Sequence, residues 1–226
     1  MLASVNYHVI ITSRSTEKGQ IAVDQILARN PLGTLSYLQL DVVNQESINE
    51  AVQEVEKKFG HLDILINNAG LIDKDSNLLY QMRNTFETNT FGAAMVTYAF
   101  VELLKKSTDP RLLYISSGLG SITMQADLES KTGGVSALTY RMSKAALNML
   151  AASNFREFQA WGCKVWSLSP GFVVTNLGGG GAHREMLAKR GAGSSETSAQ
   201  FILAVVKGER DEDNGKFIHS KGIHPW

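Results

Sequence analysis

The sequence predicts an α/β chain, a single domain built on a doubly wound parallel sheet. Three observations predict it. Short apolar runs of strand length alternate with helical patterns of ten residues or more. The runs end in small, polar or glycine residues: Ser13-Arg14, Asp41-Val42, Asn67-Asn68-Ala69-Gly70, Ser116-Ser117-Gly118 and Ser169-Pro170-Gly171. The 226 residues, 43% of them hydrophobic, suffice for one well-filled core and require no second.

Taken in order, Tyr7 to Thr12 reads as a buried strand ended by Ser13-Arg14-Ser15. Thr16 to Arg29 places Ile21, Ala22, Ile26 and Leu27 at helical spacing, with Pro31 and Gly33 beyond its end. Leu35 to Leu40 is a second strand. Asn44 can cap a helix from Gln45 to Phe59, with Ser47 as second choice, and Gly60 closes it. Leu62 to Ile66 is a third strand. Gln81 to Lys106 is one long helix or two in series, with Phe86, Phe91, Met95 and Ala99 among its inner residues. Arg111 to Ser116 is a fourth strand. Ser136 to about Trp161 forms a helix rich in Ala, Leu and Met, uninterrupted by Pro or Gly as far as Leu150. Lys164 to Leu168 is a fifth strand. A Gly-rich loop spans Gly178 to Gly181, Thr197 to Val206 is helical, and Gly215 to His219 is a last strand.

Composition narrows the function classes. Lys plus Arg equals Asp plus Glu, so no basic field exists to hold nucleic acid or an anionic membrane. The longest apolar runs fall far short of the roughly 20 residues of a membrane span. Met1 to Asn6 offers no basic segment followed by an apolar one, so no secretory leader is expected and the chain is assigned to the cytoplasm. The single cysteine, Cys163, excludes a disulfide framework and a cysteine-based metal site; at the start of an apolar run it is expected to be a buried, inert thiol.

Chemistry is expected at the carboxyl ends of the strands, where ligands of such sheets bind. On the Ser136 helix, Tyr140 and Lys144 are i and i+4 and share a face. A cation beside a phenol favours the phenolate and lowers a pKa that is ordinarily about 10. Such a tyrosine can exchange a proton with a carbonyl or alcohol oxygen. The pair alone is equally a tyrosine packed on a lysine stem.

Together with Asn67-Asn68-Ala69-Gly70, Asn89, Ser117, and Pro170-Gly171 followed by Thr175, the Tyr140-x-x-x-Lys144 pair resembles the classical short-chain dehydrogenase/reductase family, a Rossmann-type fold. The resemblance runs from Tyr7 to the C-terminus. It implies a catalytic set of Asn89, Ser117, Tyr140 and Lys144. Tyr140 would exchange the proton. Lys144 would lower the Tyr140 pKa and bind the nicotinamide ribose. Ser117, rather than Ser116, would hold the substrate oxygen, and Asn89 would anchor a water in the proton relay. Cofactor contacts are implied for Ser13, Arg14, Asp41, Val42, Asn67, Ala69, Gly70, Pro170, Gly171, Val173 and Thr175, besides Tyr140 and Lys144. It also implies a homodimer or homotetramer built on the two long helices, those containing Asn89 and Tyr140.

The cofactor choice has its own argument. NAD readers place a carboxylate at the end of the second strand of the fold, for the ribose 2′-hydroxyl. Here that place reads Thr12-Ser13-Arg14-Ser15. A guanidinium can take a 2′-phosphate in bidentate fashion, so NADP is expected over NAD. Two departures from the family pattern stand out. Ser117 and Tyr140 lie about ten residues farther apart than is common, and the extra stretch, roughly Gln125 to Gly134, reads as an insertion beside the substrate mouth. The first strand, Gly-rich turn and helix of a dinucleotide fold have no counterpart in this sequence, which opens on what resembles the tail of that helix. Roughly 20 residues of a central strand unit are therefore expected to be lacking. The resulting expectation is an NADP-dependent carbonyl reductase or alcohol dehydrogenase. The alternative is a non-catalytic scaffold of the same family that has lost its pyrophosphate cradle.

Overall fold

A computed structural model of the chain describes every residue except Lys131, in the expected insertion, and Gly178, the first glycine of the expected Gly-rich loop. The described residues fall into two compact units, Met1–Gly60 and His61–Trp226.

In the first unit, strands β1 (His8–Ser13) and β2 (Thr34–Gln39) pair in parallel, His8 opposite Thr34 and Ser13 opposite Gln39. Helix α1 (Thr16–Leu27) makes the crossover and starts where the Ser15 hydroxyl accepts the Lys18 N–H at 3.3 Å. Gly19 lets α1 lie on the sheet: a Cβ there would sit 1.8 Å from the Tyr37 ring. Val23 is buried, whereas Ile21 and Leu27 are exposed. Helix α2 (Gln45–Phe59) begins at Asn44, whose Oδ1 accepts the Ser47 N–H at 3.0 Å, and ends at Gly60 in the left-handed region, φ 75°. Its buried stripe is Ile48, Ala51 and Val55.

In the second unit, β3 (Ile64–Asn67), β4 (Arg111–Ile115), β5 (Lys164–Ser169), β6 (Phe217–His219) and β7 (Gly222–Ile223) form a five-stranded sheet in that spatial order. All pairs are parallel except β6–β7. Short apolar β4 and β5 are buried almost throughout, as both-face-covered parallel strands must be. Leu112, Tyr114, Val165 and Cys163 pack there against Leu147, Ala151 and Phe158. Each fully buried Leu contributes about 1.5–3 kcal/mol. Burial pushes the Cys163 thiol up to about 12, so it stays protonated and inert, as expected.

The helices of this unit refine the expected boundaries. Gln81–Lys106 is two helices in series, α3 (Leu78–Phe86) and α4 (Ala93–Leu104), joined by a π-helical turn over Glu87–Gly92. The wider turn rotates the face, and Phe91, expected inside, is 50% exposed. Short α5 (Ile122–Ala126) follows β4, and α6 (Leu138–Phe158) carries Tyr140 and Lys144 and ends in a 3₁₀ turn at Gln159–Trp161. Then come α7 (Gly181–Lys189), starting at the last glycine of the Gly-rich loop, and α8 (Ser195–Val206). The sheet does not end at His219, because β7 returns antiparallel to β6 with His219 opposite Gly222.

Parallel pairing with helical crossovers is thus present in both units. It is divided between two sheets: among the described residues no strand pairing joins β1 to β3.

Candidate active site

The site is built on the carboxyl ends of β3 and β4 and on the first two turns of α6. Helix periodicity delivers the pair as expected: Lys144 Nζ lies 5.7 Å from the Tyr140 ring centroid. Both side chains are buried, at 5% and 3% exposure for Tyr140 and Lys144. Close approach of α6 to the loop after β4 is possible because residue 120 is glycine. A Cβ on Gly120 would lie 2.8 Å from the Lys144 carbonyl carbon and from its Cβ.

Ser117 is the serine whose side chain acts on the Tyr140 phenol, favouring its ionised form. Its Oγ also accepts the Leu119 N–H at 3.2 Å. Ser116 faces the other way, into the core, where its hydroxyl donates to Asn148 Oδ1 at 2.6 Å. Ser167 Oγ donates to the same oxygen at 2.7 Å. Alternation along the strand end settles which serine looks outward.

The electrostatics differ from the expectation that Lys144 lowers the Tyr140 pKa. Burial pushes the Tyr140 phenol up, and the Ser117 side chain only partly opposes it. Lys144 Nζ donates to the Ile115 carbonyl at 2.8 Å instead of to the phenol. Burial also lowers the Lys144 pKa to about 8, so its charge is weakly held.

Asn89 sits in the π-helical turn, fully buried. Its Nδ2 donates to the Leu71 carbonyl at 2.9 Å and to Ser143 Oγ at 3.0 Å, and its Oδ1 accepts the Leu71 N–H at 2.8 Å. Both amide protons are therefore spent on protein groups, and neither remains for the relay water that the resemblance implies. The side chain instead ties the Gly70-Leu71 backbone to α6. A polar residue inside a helix is thereby explained.

Of the other expected residues, Asn67 turns its side chain into the core: Nδ2 donates to Thr97 Oγ1 at 2.8 Å, and that hydroxyl lies 2.9 Å from Tyr114 Oη. Ala69 is exposed, and Gly70 is half-buried. Pro170 follows β5 directly and its carbonyl accepts the Ser198 hydroxyl at 2.7 Å. Gly171 adopts φ 87°, Val173 bridges Gly193, and Thr175 Oγ1 accepts the Leu177 N–H at 3.2 Å. In the first unit Ser13 Oγ accepts the Ser15 N–H, and Asp41 Oδ1 accepts the Val43 N–H, both at 3.2 Å. Val42 is half-buried, while Arg14 is exposed at the end of β1 and makes no ion pair among the described residues.

The sequence reading missed Arg141. It is buried, and its Nε and Nη1 donate to the Val135 and Leu119 carbonyls at 3.2 and 3.3 Å, while Nη2 donates to the Thr132 carbonyl. One guanidinium therefore fastens the insertion beside Tyr140. The only signal was an arginine in the first turn of a helix rich in Ala, Leu and Met.

Part of this donor set fits a nicotinamide nucleotide. An ammonium has three N–H donors, and Lys144 spends one among the described residues. A Cβ on Gly70 would stand 3.5 Å from Lys144 Nζ and 3.4 Å from Asn89 Oδ1, filling the space in front of them. Among the described residues no group of three or more His, Cys, Asp or Glu could hold a metal. Among the described residues no helix is long and apolar enough to cross a membrane.

Parallel strands joined by helical crossovers define a class of fold, and comparison with known proteins identifies the family within it. The short chain dehydrogenase family model matches residues 1–185, and the chain belongs to that family of oxidoreductases. It is 33% identical over 239 residues to the short-chain dehydrogenase/reductase tropE of Talaromyces stipitatus, covering 97% of this chain and 88% of that one. Among solved structures it is similar to an NADPH-bound carbonyl reductase from chicken fatty liver, with TM-score 0.78, 27% identity, and 97% and 87% of the two chains covered. It is also similar to the carbonyl reductase Sniffer of D. melanogaster, with TM-score 0.78, 25% identity, and 99% and 92% covered.

Proposed function

We propose that the protein is an NADP-dependent carbonyl reductase, with Tyr140, Ser117 and Lys144 as catalytic residues and Asn89 as a positioning residue. The observation that carries this is the Tyr140 phenol, buried, under the influence of the Ser117 side chain, and one helical turn from a lysine with unspent donors among the described residues. When bound, the reduced nicotinamide supplies the hydride. Ser117 holds the carbonyl oxygen of the substrate, where negative charge develops, and the preset hydroxyl stabilises that charge. Tyr140 gives its proton to the same oxygen. Because burial raises the Tyr140 pKa, the phenol is protonated at neutral pH, the form needed for reduction. Oxidation of an alcohol needs the phenolate and is favoured only at higher pH. Lys144 offers its two free N–H groups to ribose hydroxyls, and Asn89 fixes the Gly70-Leu71 backbone beside them. Arg14, an exposed cation without an ion-pair partner among the described residues, suits a 2′-phosphate. Asp41, Val42, Ala69, Pro170, Gly171, Val173 and Thr175 complete the proposed cofactor contacts. The chicken enzyme's NADPH supports the choice of cofactor.

The test is turnover of an aromatic aldehyde with NADPH. Tyr140→Phe is expected to lose about 10²–10⁴ in kcat with little change in NADPH affinity. Arg14→Ala is expected to weaken NADPH binding about tenfold or more and to leave NADH binding unaltered. Parent-like turnover by the Phe variant, or a parent preference for NADH, overturns the assignment. No reduction of any carbonyl by a chain that binds NADPH favours the non-catalytic scaffold.

A further inference from the structure

Downstream of β6 the chain returns across the loop that carries Ser117. The His224 N–H donates to the Phe217 carbonyl at 2.8 Å. The Pro225 carbonyl accepts the Ser121 hydroxyl at 2.8 Å, and the Trp226 carbonyl accepts both the Thr123 N–H at 2.9 Å and its hydroxyl at 2.7 Å. These bonds staple residues 224–226 onto the stretch that begins at Ser117. The His224 ring consequently lies beside Gly118: a Cβ there would be 3.5 Å from His224 Nε2 and 3.7 Å from Ser169 Oγ. Gly118 itself is anchored, its N–H donating to Ser169 Oγ at 3.0 Å.

The imidazole is set among flat rings. It stacks on His219 with centroids 4.2 Å apart and planes 22° apart, and Trp226 stacks on Phe217 at 5.7 Å and 24°. Burial, with His219 as second cause, holds the His224 pKa below its ordinary value, so the ring is neutral at pH 7. A neutral imidazole has one donor and one acceptor, and His224 uses neither in a hydrogen bond among the described residues. A half-buried ring, packed against Phe217 and His219 on a stretch held by hydrogen bonds and with both nitrogens unspent, is a polar group held in place for something else.

We propose that His224 is a specificity-determining residue: beside the Ser117-Gly118 turn and backed by flat rings, its unspent nitrogen takes the ring hydroxyl of an aromatic carbonyl substrate. This rests on the carbonyl-reductase reading above and names the substrate class of the same site. The reacting oxygen sits at Ser117 and Tyr140, the second oxygen at His224, and the exposed face of Trp226 offers a surface on which an aromatic ring can stack. Two fixed polar points and one flat wall select among carbonyl compounds more sharply than the catalytic set alone.

The test uses the full chain with NADPH and three probes: benzaldehyde, 3-hydroxybenzaldehyde and 4-hydroxybenzaldehyde. The quantity read is the ratio of kcat/KM for each hydroxybenzaldehyde to that for benzaldehyde. His224→Phe keeps a flat ring and removes the nitrogens. For at least one isomer the ratio is expected to fall roughly five- to tenfold, carried by KM, as suits one lost hydrogen bond. An unchanged ratio for both isomers overturns the proposal. A second readout does not need turnover or a foldable His224 variant. In Tyr140→Phe, the His224 ring proton signal in NMR is expected to shift on adding the hydroxybenzaldehyde and to stay put on adding benzaldehyde. No shift with either isomer overturns the proposal. A shift in a parent that reduces no aldehyde supports the His224 site and overturns the reductase reading instead.

Discussion

At the scale of single residues, the site shows which chemistry helical spacing can promise and which it cannot. Spacing by four places Tyr140 and Lys144 on one face, and the structure keeps them there. It does not determine where the lysine spends its protons. Lys144 sits at 3% exposure with one hydrogen bond, and burial depresses its pKa to about 8 against 10.5 in an open chain. The sign of the consequence is fixed. Between pH 8 and 10.5 the unfolded lysine holds a proton that the folded one has lost, so folding stability rises with pH across that window. The gain is about 3 kcal/mol, and the full cost of the buried charge is present below pH 8. Lys144→Met removes this slope. It also orphans the Ile115 carbonyl, at a pH-independent cost of about 1–3 kcal/mol. Urea unfolding of parent and variant from pH 7 to 10.5 should therefore show the parent gaining on the variant as pH rises. A stability gap that stays level across the window would mean that Lys144 titrates as an exposed lysine does.

At the scale of elements, most of the fold was legible because its signals are local. Asn44 and Gly60 bracket α2, and the strands fall within two residues of the apolar runs. The π-helical turn at Asn89 was not legible. Its cause is a set of hydrogen bonds to Leu71 and Ser143, residues distant in sequence. The same holds for the choice between inner and outer faces of that turn, where Phe91 comes out exposed. Short α5 and strand β7 carry too few residues for a periodic signal. Arg141 was missed because its partners are backbone carbonyls, which any sequence can offer. Gly120 illustrates how one small residue links these elements. The loop after β4 touches α6 at that point, and the nearest atoms to an added Cβ are the Lys144 carbonyl carbon and Cβ at 2.8 Å and the Ala145 nitrogen at 3.0 Å. Backbone cannot rotate away, so Gly120→Ala must push α6 from the loop. A destabilisation of about 1–3 kcal/mol is expected. Turnover should fall with it, since Ser117 and Tyr140 sit on the two parts being separated. Thermal unfolding and kcat of this variant check both, and a parent-like melting temperature would show that the loop yields instead.

At the scale of the whole molecule, the two units differ in how much backbone they protect. In β4 and β5, nearly every residue is buried, and Leu112, Leu113, Tyr114, Val165 and Leu168 are at 0% exposure. The sheet of the first unit has two strands, and Leu38 is the one buried residue in them. A two-stranded sheet is marginal by itself and leans on the helix that covers it. Here that support comes from Val23, Ile48, Ala51 and Val55. Each buried aliphatic side chain is worth about 1.5–3 kcal/mol before chain entropy is subtracted. Local opening free energies follow this inequality, since regions with few buried apolar side chains open without global unfolding. Backbone amide exchange should therefore divide the chain in two. Amides of β1 and β2, from His8 to Gln39, are expected to exchange at least about 100-fold faster than those of β4 and β5, which should exchange only on global unfolding. Measured by mass spectrometry on peptides from each strand, equal protection in the two sheets would show that the chain opens as one cooperative unit despite the unequal burial.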